Sequence, residues 1–163
     1  MVYWVLTDTH FGHTKMHEYC GRPEGFEYKI LRNSGLLVGE SDILIHLGDF
    51  CIGDDLVWHE RFMRVCCGKK WLIRGNHDRK SLTWYLSHGW DFVADSVTLN
   101  VFGHTVILSH RPTSVSCDYV NVHGHQHNTM HHSEDAMDDR NRLVYIEHEY
   151  MPVNLMKIIN RKL

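Results

Sequence analysis

Proline is scarce in this chain, with three in 163 residues, and no segment has the composition of a disordered tract. An excess of basic charge is also lacking. Seventeen lysines and arginines face 20 acidic residues, for a formal charge of −3, so there is no cationic footprint for nucleic acid. That argument is softened by chemistry, because two bound divalent cations would more than cancel the deficit locally. No apolar run approaches membrane-spanning length. Residues 1–7 do not form a basic segment leading into an apolar stretch, so a cytoplasmic location with no membrane partner is expected. The five cysteines (Cys20, Cys51, Cys66, Cys67 and Cys117) are odd in number and lack the Cys-x-x-Cys spacing of a structural zinc site, which suits thiols in a reducing compartment. No repeat or linker divides the chain. With 43% hydrophobic residues it can bury a core, and one domain over residues 1–163 is expected.

What is abundant is histidine, with 15 residues, more than surface chemistry alone requires. Short β-type runs at 2–7, 43–47 and 71–74 alternate with helical patterns at about 26–38 and 55–66, the latter capped by Asp54 or Asp55. Strand, helix, strand, helix, strand is the order of a parallel sheet. A third helix over about 81–88 stops at Gly89. Beyond it, runs at 92–94, 96–101, 105–109, 119–122 and 143–147 follow one another as in a mixed or antiparallel second sheet. The polar stretch 130–142 reads as a solvated loop.

Five short motifs carry the chemistry: Asp8-Thr9-His10, Gly48-Asp49, Gly75-Asn76-His77-Asp78, Ser109-His110 and Gly124-His125-Gln126-His127. Four follow a β-type run directly, and ligands in α/β folds collect at the carboxyl ends of strands. Asp8 and His10 are two apart, as are His125 and His127; on extended backbone each pair points one way. Oxygen and imidazole donors suit Mn²⁺, Fe²⁺ or Zn²⁺, while the near absence of thiolate argues against structural zinc.

The five motifs, in this order over nearly the whole chain, resemble those of the calcineurin-like metallophosphoesterase superfamily, and in particular its small bacterial and phage-type members. The resemblance implies an α/β fold of two packed mixed sheets flanked by helices, a four-layer αββα sandwich. It also implies two divalent cations, Mn²⁺ foremost, with Fe²⁺, Zn²⁺, Ni²⁺ and Mg²⁺ as alternatives. Asp8, His10 and His127 resemble the ligands of the first metal, and Asn76, His110 and His125 those of the second. Asp49 would bridge them, and a hydroxide between the cations would be the nucleophile. His77 is implied as a general acid or phosphate contact, with Asp78 as its orienting partner.

Substrate contacts are expected from Arg111, which follows His110, and then from Arg22 and His13. His46 reads as a hydrogen-bonded core residue, and Cys51 first as an apolar filler. His17, His59, His88, His104, His131, His132 and His148 are assigned to the surface. Asp49 is followed by Phe50-Cys51-Ile52-Gly53, without the Asp and Arg of the protein-phosphatase branch. The expected activity is therefore hydrolysis of a small phosphodiester, such as a nucleotide or cyclic nucleotide. A monoesterase comes second and a nuclease third, because no lysine- and arginine-rich stretch with interleaved aromatics tracks a strand. A catalytically silent scaffold is the non-enzyme alternative, but all the motif residues are present.

Overall fold

The computed structural model describes residues 1–128 and 139–161. Its first half runs β1 (Tyr3–Leu6), α1 (Met16–Cys20), α2 (Phe26–Leu37), β2 (Ile43–His46), α3 (Asp55–Val65), β3 (Lys69–Ile73) and α4 (Leu82–Ser87). The second half runs β4 (Phe92–Ala94), β5 (Ser96–Val101), β6 (His104–Ser109), β7 (Tyr119–His123), β8 (Asn141–Leu143), β9 (Val153–Asn154) and α5 (Leu155–Ile159).

One sheet has the order β4-β3-β2-β1-β9, with β1 to β4 parallel and β9 antiparallel at the edge. The other has the order β5-β6-β7-β8, with β5 antiparallel to β6 and the rest parallel. Every residue of β2 is buried, as expected of a parallel strand covered on both faces. Alternation divides the first sheet. Leu6, Leu44 and Leu72 join Phe26, Ile30 and Phe62 beneath the helices, while Val5, Ile45 and Ile73 meet Val106, Leu108 and Val122 of the second sheet. Strand β5 shows the opposite arrangement to β2. Its Val97, Leu99 and Val101 pack inward, whereas Ser96, Thr98 and Asn100 are exposed. Two sheets flanked by helices is thus the architecture. No helix among the described residues is long and apolar enough to cross a membrane.

Register matters most for the site. Leu6, His46 and Leu72 lie in one row across β1, β2 and β3, so the three parallel strands end within one residue of each other and their motif loops leave together.

Three expectations change. The run at 143–147 is not a strand: β8 ends at Leu143, and Val144 packs between the sheets while Ile146 packs under the helices, so the chain crosses layers there. Of the expected loop at 130–142, residues 130–138, including His131 and His132, lie outside the described residues, and residues 141–142 belong to β8. His59 is not a surface residue but is 1% exposed. Its Nδ1 donates to Asp55 O at 2.7 Å, and its ring lies 4.3 Å from that of Phe50.

Burial holds His59 neutral by pulling its pKa down to about 4. The folded value lies below the unfolded one, so this stability is present above about pH 6.5 and is lost as pH falls towards 4. Each pH unit in that window costs up to about 1.4 kcal/mol per such histidine. His59→Gln is therefore expected to flatten the loss of stability between pH 6.5 and 4.5 by close to one proton, as measured by urea denaturation across pH.

Candidate metal centre

The five motifs sit at or just past the ends of β1, β2, β3, β6 and β7, and their loops interlock. Asp8 N donates to Gly48 O (2.9 Å), His10 N to Asp49 O (3.0 Å), and Gly124 N to His110 O (3.0 Å). Five motif residues take left-handed backbone: Asp8, His10, Asp49, His125 and His127, with φ between 46° and 72°. Such conformations in non-glycine residues persist only where surrounding structure holds them. The paired residues therefore converge, but not by the strand alternation their spacing suggests. The motif glycines permit this close approach. A Cβ on Gly124 would strike Thr7 Oγ1 and Asp8 Oδ2, and one on Gly48 would sit 2.7 Å from Gly75 Cα.

Two groups of donor atoms result. In the first, His10 Nε2 lies 3.9 Å from Asp8 Oδ1, and His127 Nε2 is also 3.9 Å from that oxygen. In the second, His110 Nε2 lies 3.0 Å from His125 Nδ1 and 3.1 Å from Asn76 Oδ1. Asp49 Oδ2 faces both groups, 3.7 Å from His10 Nε2 and 3.4 Å from His110 Nε2. Bonds of about 2.0–2.2 Å to a shared cation would place neighbouring ligands roughly 3–3.6 Å apart. The described residues could thus hold cations at Asp8, His10 and His127 and at Asp49, His110 and His125.

An independent sign that a cation belongs here is Asp8 Oδ1, a buried carboxylate oxygen without a hydrogen-bond partner among the described residues. Asp8 Oδ2, by contrast, accepts from Thr7 Oγ1 (2.5 Å) and His125 N (2.8 Å).

The electrostatics agree. Burial alone would raise Asp49, but its hydrogen bond with His110 and the charges of His110 and His10 hold it well below the usual carboxylate range. Burial opposes charging His110, yet its bond to Asp49 and the charges on Asp8 and Asp49 push it up to about 9. His127 is likewise resisted by burial, but contacts with Cys20 and Glu147 and the charge of Asp8 push it up to about 10. Cation binding at such imidazoles is coupled to proton release. Both rings are oriented to receive a cation. His110 Nδ1 donates to Leu47 O (2.8 Å) and His127 Nδ1 to Glu147 Oε1 (3.0 Å), leaving each Nε2 towards the carboxylates.

The centre floors a cavity of about 860 Å³, lined by His10, Asp49, Asn76, His77, His125 and His127 and walled by His13, Met16, Tyr19, Cys20, Cys51, Ile52, Gly53, Asp55, Arg79 and Lys80. His13 is therefore brought to the cavity as expected, its ring 5.7 Å from that of His10. Cys51 reaches the cavity wall although nearly buried, its Sγ donating to Asp55 Oδ1 at 2.8 Å. His46 is the core residue expected. Thr9 Oγ1 donates to Phe50 O, so His46 Nε2 donates to that hydroxyl while its Nδ1 accepts from Gly48 N.

Three expected site residues stand elsewhere. Asp78 does not orient His77. Its Oδ2 accepts from the amides of Asp49 (2.8 Å) and Gly75 (2.7 Å) and its Oδ1 from Phe50 (3.1 Å), so it fastens the β2 and β3 loops together. Arg111 is exposed and does not line the cavity; following a site histidine in sequence does not turn its side chain the same way. Arg22 is buried, and its guanidinium is taken up by Asp8 O, Thr9 O and Glu147.

Missed in turn were Glu147 and the cavity cations Arg79 and Lys80. The last two had a signal, since they follow Asn76-His77-Asp78 directly. Glu147 had none beyond its acidity.

The fold and this centre define a metal-dependent hydrolase of phosphoric esters. The chain belongs to the calcineurin-like phosphoesterase family, whose sequence model matches residues 1–159. It is similar to the uncharacterized protein MJ1445 of Methanocaldococcus jannaschii, at 25% identity over 96% of this chain and 88% of the relative. Among solved structures it is similar to the protein of unknown function AQ665 from Aquifex aeolicus, with a TM-score of 0.76, 23% identity and 99% of both chains covered. It also shares its fold with Pseudomonas putida nuclease MPE (TM-score 0.51, 24% identity, 77% of this chain and 61% of that one).

Proposed function

We propose that this chain hydrolyses small phosphodiesters at a pair of divalent cations. Asp8, His10 and His127 hold the first, Asn76, His110 and His125 the second, and Asp49 is shared. The observation that carries the reading is the position of Asp49 Oδ2, one carboxylate oxygen within 3.7 Å of an imidazole from each group. Mn²⁺ is the foremost candidate for a nitrogen and oxygen set, with Fe²⁺, Zn²⁺, Ni²⁺ and Mg²⁺ as alternatives. When bound, the cations would supply Lewis acidity and lower the pKa of an attacking water towards neutrality. Both sheets contribute to the one centre, which supports treating residues 1–163 as a single domain.

The residues around the cations divide the remaining work. His77, with its side chain 37% exposed in the cavity, protonates the departing oxygen. Arg79 takes the phosphate-contact role expected of Arg111; among the described residues it has no ion pair, whereas Lys80 is paired with Asp55 at 3.3 Å. Met16, Tyr19 and Ile52 add apolar surface to the same cavity. That combination suits a nucleotide, cyclic nucleotide or similar diester with an aromatic or apolar substituent.

The test is turnover of bis(p-nitrophenyl) phosphate against p-nitrophenyl phosphate, with Mn²⁺ and with chelator. Faster, chelator-sensitive diester hydrolysis is expected. A clear preference for the monoester would reassign the chain as a phosphatase, and no turnover of either would favour the scaffold. Arg79→Ala is expected to lower kcat/KM on the order of tenfold, about 1–2 kcal/mol for one charge-assisted hydrogen bond, and Arg111→Ala to leave it within about twofold. The reverse ranking would restore Arg111 to the substrate.

A further inference from the structure

We propose that Arg22 and Glu147 are positioning residues that act chiefly on the first half-site (Asp8, His10 and His127), while His110 and the Asp49 loop of the second have braces of their own. The inference rests on the two-cation reading above.

Arg22 reaches the start of the site. Its Nη2 donates to Asp8 O at 2.7 Å and its Nη1 to Thr9 O at 2.8 Å. Asp8 is one of the residues in left-handed backbone, and a planar fork with donors in fixed directions can hold two successive carbonyls of such a turn. Phe26 packs on the guanidinium at 4.9 Å, and the Arg22 side chain is wholly buried.

Glu147 reaches the end of the site. Its Oε1 accepts from His127 Nδ1 at 3.0 Å and also from Arg22, Nη2 at 2.6 Å and Nε at 3.1 Å. One carboxylate oxygen therefore joins the first motif loop to the last. By accepting from His127 Nδ1 it fixes Nε2 as the nitrogen turned to the side of Asp8 Oδ1. A carboxylate behind a ligand histidine fixes ring and tautomer and raises the basicity of the ligating nitrogen.

The second half-site shares one brace with the first, His125 N donating to Asp8 Oδ2 at 2.8 Å, but is otherwise held by other means. His110 is oriented by Leu47 O, and the Asp49 loop is held by Asp78. Among the described residues, neither of these two braces has a hydrogen bond to the side chain of Arg22 or Glu147. The pair should thus act mainly on one cation.

The experiment is Mn²⁺ titration of the full chain by calorimetry, with bound metal counted by mass spectrometry and the loaded protein examined by EPR. For Glu147→Gln one ion should weaken by about 10–100-fold and the other by less than about threefold. At two equivalents of Mn²⁺ the exchange-coupled pair signal should give way to that of an isolated ion. Backgrounds assign the ion. Glu147→Gln added to His110→Ala should weaken the remaining ion by the same factor, and added to His10→Ala should leave it unchanged.

Circular dichroism and a cooperative melt of the metal-free variant establish that it folds. If it does not, because Arg22 is left without its counter-charge, Arg22→Met with Glu147→Gln removes both charges and carries the same selective expectation. Equal weakening of both ions, or of neither, in a folded variant overturns the proposal. A wild-type chain that binds fewer than two ions overturns the two-cation reading itself, and this inference with it.

Discussion

His77→Asn is expected to slow hydrolysis of a diester with a ribose or alkyl leaving group by about 10²–10⁴-fold, the usual worth of a positioned acid. Hydrolysis of bis(p-nitrophenyl) phosphate should fall far less, because p-nitrophenolate departs without a proton. His77 reaches the cavity beside Asp49. His77 N donates to Asp49 Oδ1 at 2.8 Å, anchoring the backbone to the centre of the site. The imidazole itself extends into the cavity, its Nε2 3.9 Å from Asp49 Oδ2 and its ring 5.5 Å from that of His10. Asp78 is fully engaged by three backbone amides and does not hold the ring. A leaving-group series read as log kcat/KM against leaving-group pKa makes the measurement, and the variant should show the steeper slope. Equal losses across the series would reject proton donation, and loss of a metal ion would move His77 into the ligand set.

Asp49→Asn is expected to empty both half-sites together and to lower kcat/KM on the order of 10³-fold or more, about 4 kcal/mol or more of lost charge stabilisation. Asn can still accept from His77 N through its oxygen. It then turns an NH₂ towards His10 and His110, where Asp49 Oδ2 now stands. His10→Ala should weaken mainly the first ion, because His10 does not face the second group of donors. Metal content after desalting, measured on both variants beside the wild type, decides the matter. Retention of one tight ion in Asp49→Asn would show that the carboxylate serves a single half-site.

Much of the candidate centre was legible along the chain. Asp8, His10, Asp49, Asn76, His110, His125 and His127 all lie in short motifs just past strands, and strands announce themselves through local runs of apolar and β-branched residues. The helices at 26–37, 55–65 and 82–87 were equally readable from periodicity and caps. Less could be read where one apolar pattern serves two layers. Val144 and Ile146 look like a strand because both are buried, but they enter different cores. His59 looked solvated because a polar residue at helical spacing carries no mark of the aromatic cluster it faces.

The sequence by itself determined the order of the elements from β1 to β7 apart from the short α1, the five motifs and the kind of donor atoms they bring, since each is a property of residues close together in the chain. Only the tertiary structure decided which charged groups serve the site. Arg22 and Glu147 are 125 residues apart and meet at 2.6 Å. Asp78 is turned to the amides beneath it, Arg111 outward, and Arg79 into the cavity. The physical reason is that a long or buried charged side chain takes its direction from the partners that offset its desolvation, and those partners are supplied by distant segments of the fold.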